Sequence, residues 1–465
     1  MAVITEESES NPMNPSTSKT PNPPSSPPKP SSSAPNPFTF WFYFTLTVSL
    51  ITLLFVFLSS LSPQDPKSWF LSLPTNLRDH YSKGRSIKIQ IFSNQPTIEV
   101  FSIQDGPILN SDNVLILHGL GCSSYNFRKL LKSLANKGLH TVAIDLPGSG
   151  FSDKSITLVE EIEGLRTIWD VYNDIKDKGL FWGFDQLVEQ GYVNYDDPKE
   201  NNRVYTRESL NAIELDSEQM GRVLGQVIDS LKLAPVDLVL HDSSLVLSAN
   251  WISENPGLVR SVTLIDTSSN TESALPLWLL QVPVVREAVL GLTSVFGKVI
   301  ESCCSKSVNG LDLEANRILL KGKEGRKAIV GMGKRLNCSF DLMEWSGSEG
   351  VKDLPIQVIW SSSSTDKWVQ EGKRVATAFP HASILTHSGG RWPQDDNAHE
   401  LAKSIYGFLS SLPKPIKESE EILVEQRVKK INDEAIDNQH HIHDDHDHGH
   451  GGFMDAYGLG HGWGS

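Results

Sequence analysis

Six short, almost wholly apolar runs recur along the middle of this chain: V-L-I-L-H at 114–118, T-V-A-I-D at 141–145, V-D-L-V-L-H at 236–241, S-V-T-L-I-D at 261–266, I-Q-V-I-W at 356–360 and A-S-I-L-T at 382–386. A strand with one wet face alternates polar and apolar side chains, whereas a run apolar on both faces has to be covered on both. Helix-patterned sequence separates the runs, so their order predicts an α/β domain with a mostly parallel central sheet flanked by helices. Upstream, Ile87, Ile89 and Ile91 alternate with polar residues in S-I-K-I-Q-I-F, and T-I-E-V-F-S-I follows. That period of two predicts a pair of half-buried antiparallel strands.

The domain so marked runs from about 86 to 412 of the 465 residues, and a hydrophobic fraction of 39% suffices for its core. Two insertions interrupt its rhythm, about 155–215 and 267–354. Both read as largely helical, and the second falls where a lid or cap would sit. Residues 1–37 are rich in Pro, Ser, Asn and Thr and lack the apolar content that offsets chain entropy, so a disordered leader is expected. The chain ends in an acidic, His-rich tail over 413–465, with five Lys and Arg against eleven Asp and Glu, which supplies −6 of the formal charge of −14. That acidity argues against nucleic acid as a partner.

From Phe38 to Leu61 stand 24 residues without one charge. At about 1.5 Å rise per residue such a helix covers the roughly 30 Å of a bilayer core, and Phe38, Phe40, Trp41, Phe42 and Tyr43 suit its interface. A cleaved signal peptide or a buried core helix are the alternatives. The length of the segment and its place behind a Pro-rich leader favour a single-pass transmembrane anchor, followed by a juxtamembrane stretch at 62–85. Lys19 and Lys29 on one side balance Lys67 and Arg78 on the other, so flanking charge gives no orientation.

Two loops carry recognisable chemistry. H-G-L-G at 118–121 follows the first apolar run, and I-D-L-P-G-S-G-F-S-D-K at 144–154 follows the second. Together they resemble the α/β-hydrolase family, which implies an α/β-hydrolase fold with helical cap insertions and places Gly119 and Leu120 at the backbone oxyanion position. The same resemblance puts Asp242, in L-H-D-S-S-L, at the nucleophile position, with Leu240 and Ser244 where glycines are usual and Ser243 one place late. An aspartate nucleophile is used by the haloalkane dehalogenase and epoxide hydrolase branches. The acid is expected about four residues after the strand ending in Trp360, where Ser364 stands, with Asp366 two places on. In T-H-S-G-G-R-W-P-Q-D-D at 386–396, the catalytic histidine is replaced by Arg391. Arginine stays protonated near neutral pH and cannot serve as a general base. An ion pair of Arg391 with Asp242 or Asp366 is the natural use of the vacated site.

His387 is the nearest replacement base, but it ends a strand and reads as a packing residue, as does His399 in the following helix; His118 and His241 read as structural. The pattern therefore predicts a pseudo-hydrolase whose vacated cleft is free to bind, with vestigial positions Asp242, Asp366 and Arg391. The rival is an active membrane-anchored esterase or lipase using Asp242 or Ser243 with His387. No cofactor is implied. His440, His441, His443, His446, His448 and His450 could bind a metal weakly, although their spacing fixes no geometry. Cys122, Cys303, Cys304 and Cys338 share no metal or redox spacing and read as buried or free thiols. The sequon Asn337-Cys338-Ser339 matters only if the domain is lumenal.

The order of parts is a Pro-rich leader, an anchor, W-F-L-S-L-P at 69–74, a hydrolase-like domain with R-W-P-Q at 391–394, a His-Asp tail and D-A-Y-G-L-G at 455–460. It resembles a plant family of endoplasmic-reticulum membrane accessory proteins. That resemblance, and not composition or periodicity, implies an auxin influx carrier as partner, with export and polar plasma-membrane placement of the carrier as the function.

Overall fold

The structure, a computed structural model, describes residues 37–60, 66–91, 96–109, 111–163, 204–267, 273–336, 340–362 and 365–413. The leader, the His-rich tail, the Asn337 sequon with Cys338, and Ser364 lie outside them.

The first element is α1 (Pro37–Ser60), 24 residues with no charged side chain, about 36 Å long at helical rise. Every described side chain from Phe38 to Leu54 is exposed, and side chains beyond Leu54 lie outside the description. Among the described residues no helix is long and apolar enough to cross a membrane. The transmembrane helix expected over 38–61 is thus not met by the described residues alone.

From Pro66 the chain forms α2 (Pro66–Ser72), α3 (Thr75–Lys83), β1 (Arg85–Ile89), β2 (Ile98–Asp105), β3 (Asn113–Leu117), a 3-10 turn at Ser124–Phe127, α4 (Arg128–Ala135) and β4 (His140–Ile144). After these come β5 (Ser155–Glu163), β6 (Val204–Ala212), α5 (Ser217–Ser230), β7 (Val236–His241), α6 (Ser244–Glu254) and β8 (Val259–Ile265). The cap helices are α7 (Trp278–Gln281), α8 (Pro283–Gly291), α9 (Thr293–Cys303), α10 (Gly310–Lys321), α11 (Lys323–Arg335) and α12 (Leu342–Ser346). The chain then returns to the sheet through β9 (Ile356–Ser361), α13 (Asp366–Ala378), β10 (Ser383–His387), α14 (Pro393–Asp396) and α15 (Ala398–Ser411).

Eight strands form one sheet in the order β1-β2-β4-β3-β7-β8-β9-β10. β1 with β2 and β2 with β4 are antiparallel, and all other pairs are parallel. Side chains alternate between the faces, as a period of two requires. Leu115, Leu117, Leu238 and Leu240 join one core with Val223, Val227, Leu245 and Ile252 of α5 and α6. Val114, Ile116 and Val239 join the other with Leu130 and Leu134 of α4 and Leu401 and Ile405 of α15. The six apolar runs become β3, β4, β7, β8, β9 and β10. The last is an edge strand, with Ser383 to Thr386 exposed and only His387 buried.

The first insertion departs from expectation. Its described ends, β5 and β6, pair antiparallel from Ser155↔Ala212 to Glu163↔Val204 as a separate two-stranded sheet. Ile156 and Leu158 alternate with Ser155 and Thr157 there, a strand period that a helical reading overlooks. The rest of this insertion, 164–203, lies outside the described residues.

Candidate functional site

At the C-terminal edge of the parallel strands the backbone turns sharply twice. Asp242 follows β7 with φ +53°, and Asp266 follows β8 with φ +46°. Aspartate is among the few non-glycine residues that enter this left-handed region readily, which suits it to both turns. Each continues the ladder, Asp242 N–H donating to Ile265 O and Asp266 N–H to Ile359 O, both at 3.1 Å. Both carboxylates are buried.

The Asp242 carboxylate is held by three donors. Oδ1 accepts from Arg391 Nη2 at 3.1 Å and from Ala274 N–H at 3.0 Å. Oδ2 accepts from the same Ala274 N–H at 3.1 Å and from the Ser273 hydroxyl at 3.3 Å. Ser273 and Ala274 open the cap segment, so Asp242 fastens the cap to the end of β7. Gly119 lies against it, where a Cβ would stand 2.6 Å from Asp242 Cβ. The guanidinium of Arg391 lies 3.8 Å over the Trp368 ring, a cation–π contact beside its ion pair.

The backbone donors beside it are taken as well. Leu120 N–H donates to Ser243 Oγ at 2.9 Å, and Gly119 N–H reaches His241 Nδ1 at 3.4 Å. A substrate oxyanion would have to displace Ser243 from the N–H that ought to receive it. Ser243 thus takes the Leu120 N–H and Arg391 the Asp242 carboxylate, at the two places expected for an oxyanion donor and a base. Clefts of about 420 Å³ and 460 Å³ open elsewhere, one lined by Ile98, Ile156 and Arg335, the other by Arg222 and Trp251, and neither includes a residue of this site.

The histidines take fixed roles. His241 Nε2–H donates to Arg391 O at 2.9 Å, which leaves Nδ1 to accept, and burial holds its pKa below the usual imidazole value. His118 is the opposite tautomer: Nδ1–H donates to Gly119 O at 2.8 Å and Nε2 accepts Leu146 N–H at 2.9 Å, again with burial lowering the pKa. Both orient loops and neither offers a free base. His399 is exposed on α15.

His387 is more than a packing residue. Its Nε2 stands 2.6 Å from Asp266 Oδ2, with both side chains buried. Asp266 Oδ1 accepts Ser361 N–H at 3.0 Å and Trp368 Nε1–H at 3.1 Å. This acid–histidine pair is turned the wrong way for a serine-type triad, where the acid holds Nδ1 and leaves Nε2 for the nucleophile. Here the acid holds Nε2, and Nδ1 is buried against no polar protein atom among the described residues. Asp366, expected as a displaced acid, is instead an exposed first-turn residue of α13. The carboxylate that meets the histidine is Asp266, and its signal in the sequence was the Asp closing S-V-T-L-I-D.

One cysteine expectation is also corrected. Cys303 and Cys304 are joined by a disulfide, while Cys122 is a buried thiol whose pKa burial raises. The pair lies beneath the Arg391 loop: Cys304 O accepts Trp392 N–H at 2.7 Å, and a Cβ on Gly390 would meet that same oxygen at 2.4 Å. Among the described residues no cluster of His, Cys, Asp and Glu is arranged to hold a metal ion.

The family model described as alpha/beta hydrolase fold matches residues 112–292. The chain has the α/β-hydrolase fold. Solved structures with this fold include a bacterial membrane phospholipase A, at 16% identity over 80% of this chain and 97% of that one, with a TM-score of 0.47. An esterase from Thermogutta terrifontis is 13% identical over 70% of this chain and 98% of that one, TM-score 0.44. An enol-lactonase from Burkholderia xenovorans is 14% identical over 68% and 97%, TM-score 0.43. At such identities and TM-scores these likenesses carry no argument about activity, and chemistry has to be argued from the site itself.

Proposed function

We propose that this chain is a non-catalytic membrane accessory protein of the endoplasmic reticulum, of the kind typified by the plant protein auxin response four, promoting export and polar plasma-membrane placement of an auxin influx carrier. The observation that carries the non-catalytic part is the occupied Asp242 carboxylate, held by Arg391 and by the cap backbone. That carboxylate is engaged by the cap and by an arginine that cannot take a proton, which supports a holding role over an attacking one. The anchoring part rests on the uncharged helix α1 and its aromatic start, and the carrier part on the order of sequence features already described. The cap and the sheet edge then serve as a rigid binding body tethered in the membrane of its client.

A chain that acts by binding should keep working when Asp242 is changed. In plant cells lacking the endogenous protein, Asp242→Asn is expected to restore carrier export, and deletion of residues 38–61 to abolish it. An Asp242→Asn chain that is stably expressed and yet leaves the carrier in the reticulum would overturn the reading. The second reading, a membrane-anchored esterase using Asp242 or Ser243 with His387, is favoured by the Asp266–His387 pair alone. Turnover of short-chain esters lost in both Ser243→Ala and His387→Gln would establish it.

A further inference from the structure

The α2–α3 stretch packs against the cap. Leu73 and Leu77, from the α2–α3 stretch, form a separate apolar cluster with Tyr125 and with Ala315 and Leu319 of α10. Asn76 Nδ2 donates to the Tyr125 hydroxyl, and that hydroxyl donates to Asp312 Oδ1 at 2.9 Å. Asp312 is buried on α10 and pairs with Arg128 at 2.5 Å and Lys129 at 3.4 Å. Asn76 also reaches Leu311 O at 3.5 Å. The α2–α3 stretch is thus packed and hydrogen-bonded against the first turns of α10.

α2, α10 and the neighbouring cap helices α7 and α8 carry several exposed apolar side chains. Leu71 on α2 is 67% exposed, Leu311 64%, Leu292 57%, Val284 81% and Trp278 58%. Thr293 Oγ1 donates to Glu314 at 2.8 Å, which sets the α8–α9 corner, with Leu292, beside the turn of α10 that follows Leu311. Exposed apolar residues scattered singly need no explanation, whereas a set gathered on adjoining helices marks an interaction surface.

We propose that this face, formed by α2 and cap helices α7 to α10, lies on the lipid bilayer, with these side chains in the boundary between headgroups and acyl chains. The inference rests on the reading of α1 as a membrane anchor. Chain length commits the occupant: six residue steps separate Ser60 from Pro66, a reach of at most about 22 Å. A helix that close in sequence to the end of a membrane span stays within reach of the headgroup region. Since α3 is packed on α10, the cap is brought there with it. Apolar side chains on helices lying in the interface plane bind by the area they bury, which suits Leu71, Trp278, Val284, Leu292 and Leu311.

The test uses the full chain reconstituted into vesicles of phosphatidylcholine and phosphatidylserine, without the carrier. Single thiols are introduced as Val284→Cys, Leu311→Cys and, as control, Leu109→Cys, in a Cys338→Ser background, and labelled with an environment-sensitive fluorophore. Leu109 is 79% exposed and equally apolar, but it sits in the β2–β3 loop, before the N-terminal end of parallel strand β3 and so at the edge opposite the site and cap. The expected result is that the chain floats with the vesicles, that labels at 284 and 311 shift to the blue and are quenched several-fold more strongly by a lipid-borne quencher than by a soluble one, and that the label at 109 shows the reverse. If the chain floats but 284 and 311 behave like 109, the inference is overturned and the anchor reading stands. Quenching at all three positions also overturns it, because no face is then selected. Shielding that needs a co-reconstituted carrier assigns the face to protein and rejects the lipid. A chain that fails to float removes the anchor reading and the inference with it.

Discussion

Arg391 and Asp242, 149 residues apart in sequence, meet with Nη2 3.1 Å from Oδ1 at the C-terminal edge of the sheet. Asp242 is 2% exposed and the Arg391 side chain 16%. Removing one partner of a buried pair leaves the other charge uncompensated, which costs about 3–5 kcal/mol when both are fully buried and somewhat less here. Arg391→Ala is thus expected to lower unfolding free energy by about 2–4 kcal/mol in denaturant titrations. Under the non-catalytic reading, Arg391→His is expected to yield no ester hydrolysis, since Ser243 Oγ still takes the Leu120 N–H. Measurable turnover by Arg391→His would show that the histidine alone was lacking.

Gly119 tests how tightly that clasp is built. A methyl group there would sit 2.6 Å from Asp242 Cβ and 2.7 Å from Oδ2, distances at which something has to move. Asp242 is held by Arg391 on one side and Ala274 on the other, so it cannot yield cheaply. Gly119→Ala is expected to destabilise the domain by about 1–3 kcal/mol, the usual cost of overpacking. A thermal unfolding midpoint equal to wild type would mean the clasp is looser than its hydrogen bonds indicate.

Two buried groups give stability opposite dependences on pH. Burial lowers the His80 pKa to about 4, with its Nε2 3.0 Å from Ser124 Oγ, so the unfolded imidazole binds a proton that the folded one refuses. Stability from this group is complete above pH 6.5 and drains as pH falls from 6.5 towards 4. Burial raises Asp395 from 3.8 to about 7, against the Asn126 hydrogen bond and the charges of Arg128 and Lys129, which lower it. The folded state then holds a proton that the unfolded state releases, and stability drains as pH rises from 3.8 to about 7. Asp395→Asn removes the second dependence and keeps an acceptor for Asn126. It is expected to raise stability at pH 8 by about 1–3 kcal/mol and to leave pH 4 unchanged; a pH-independent change would assign Asp395 a purely steric role.

The sheet was legible because each central strand is buried on both faces, and runs such as V-L-I-L at 114–117 have no other economical fate. Arg391 was legible because the loop around it keeps its glycines and Trp-Pro while the functional side chain differs. Contacts between distant strands left no such trace. His387 and Asp266 lie 121 residues apart, and nothing local to either says that they meet, so Asp366, nearer the expected spacing, drew the assignment instead. The β5–β6 hairpin is masked for a different reason: its two strands are separated by residues 164–203, and the alternation of Ile156 and Leu158 breaks at Val159-Glu160-Glu161, so neither strand carries a clean period of its own. The Cys303–Cys304 bond joins adjacent residues, a spacing that carries no framework signal of its own.

The Asp266–His387 pair separates the two functional readings. Asp266 accepts Ser361 N–H, Trp368 Nε1–H and His387 Nε2–H, so it braces the ends of β9 and β10 and the indole beneath Arg391. If the pair is structural, Asp266→Asn keeps the first two acceptor contacts through its carbonyl oxygen and loses the charge-assisted bond to His387, a cost of about 1.5–3 kcal/mol. Carrier export should then follow the amount of folded protein, and raising expression should rescue it. If the pair is catalytic, Asp266→Asn would abolish turnover at unchanged protein level, as loss of the orienting acid does in serine hydrolases. Carrier placement measured against the abundance of the variant distinguishes these outcomes, and the expected one is a single curve shared by wild type and Asp266→Asn.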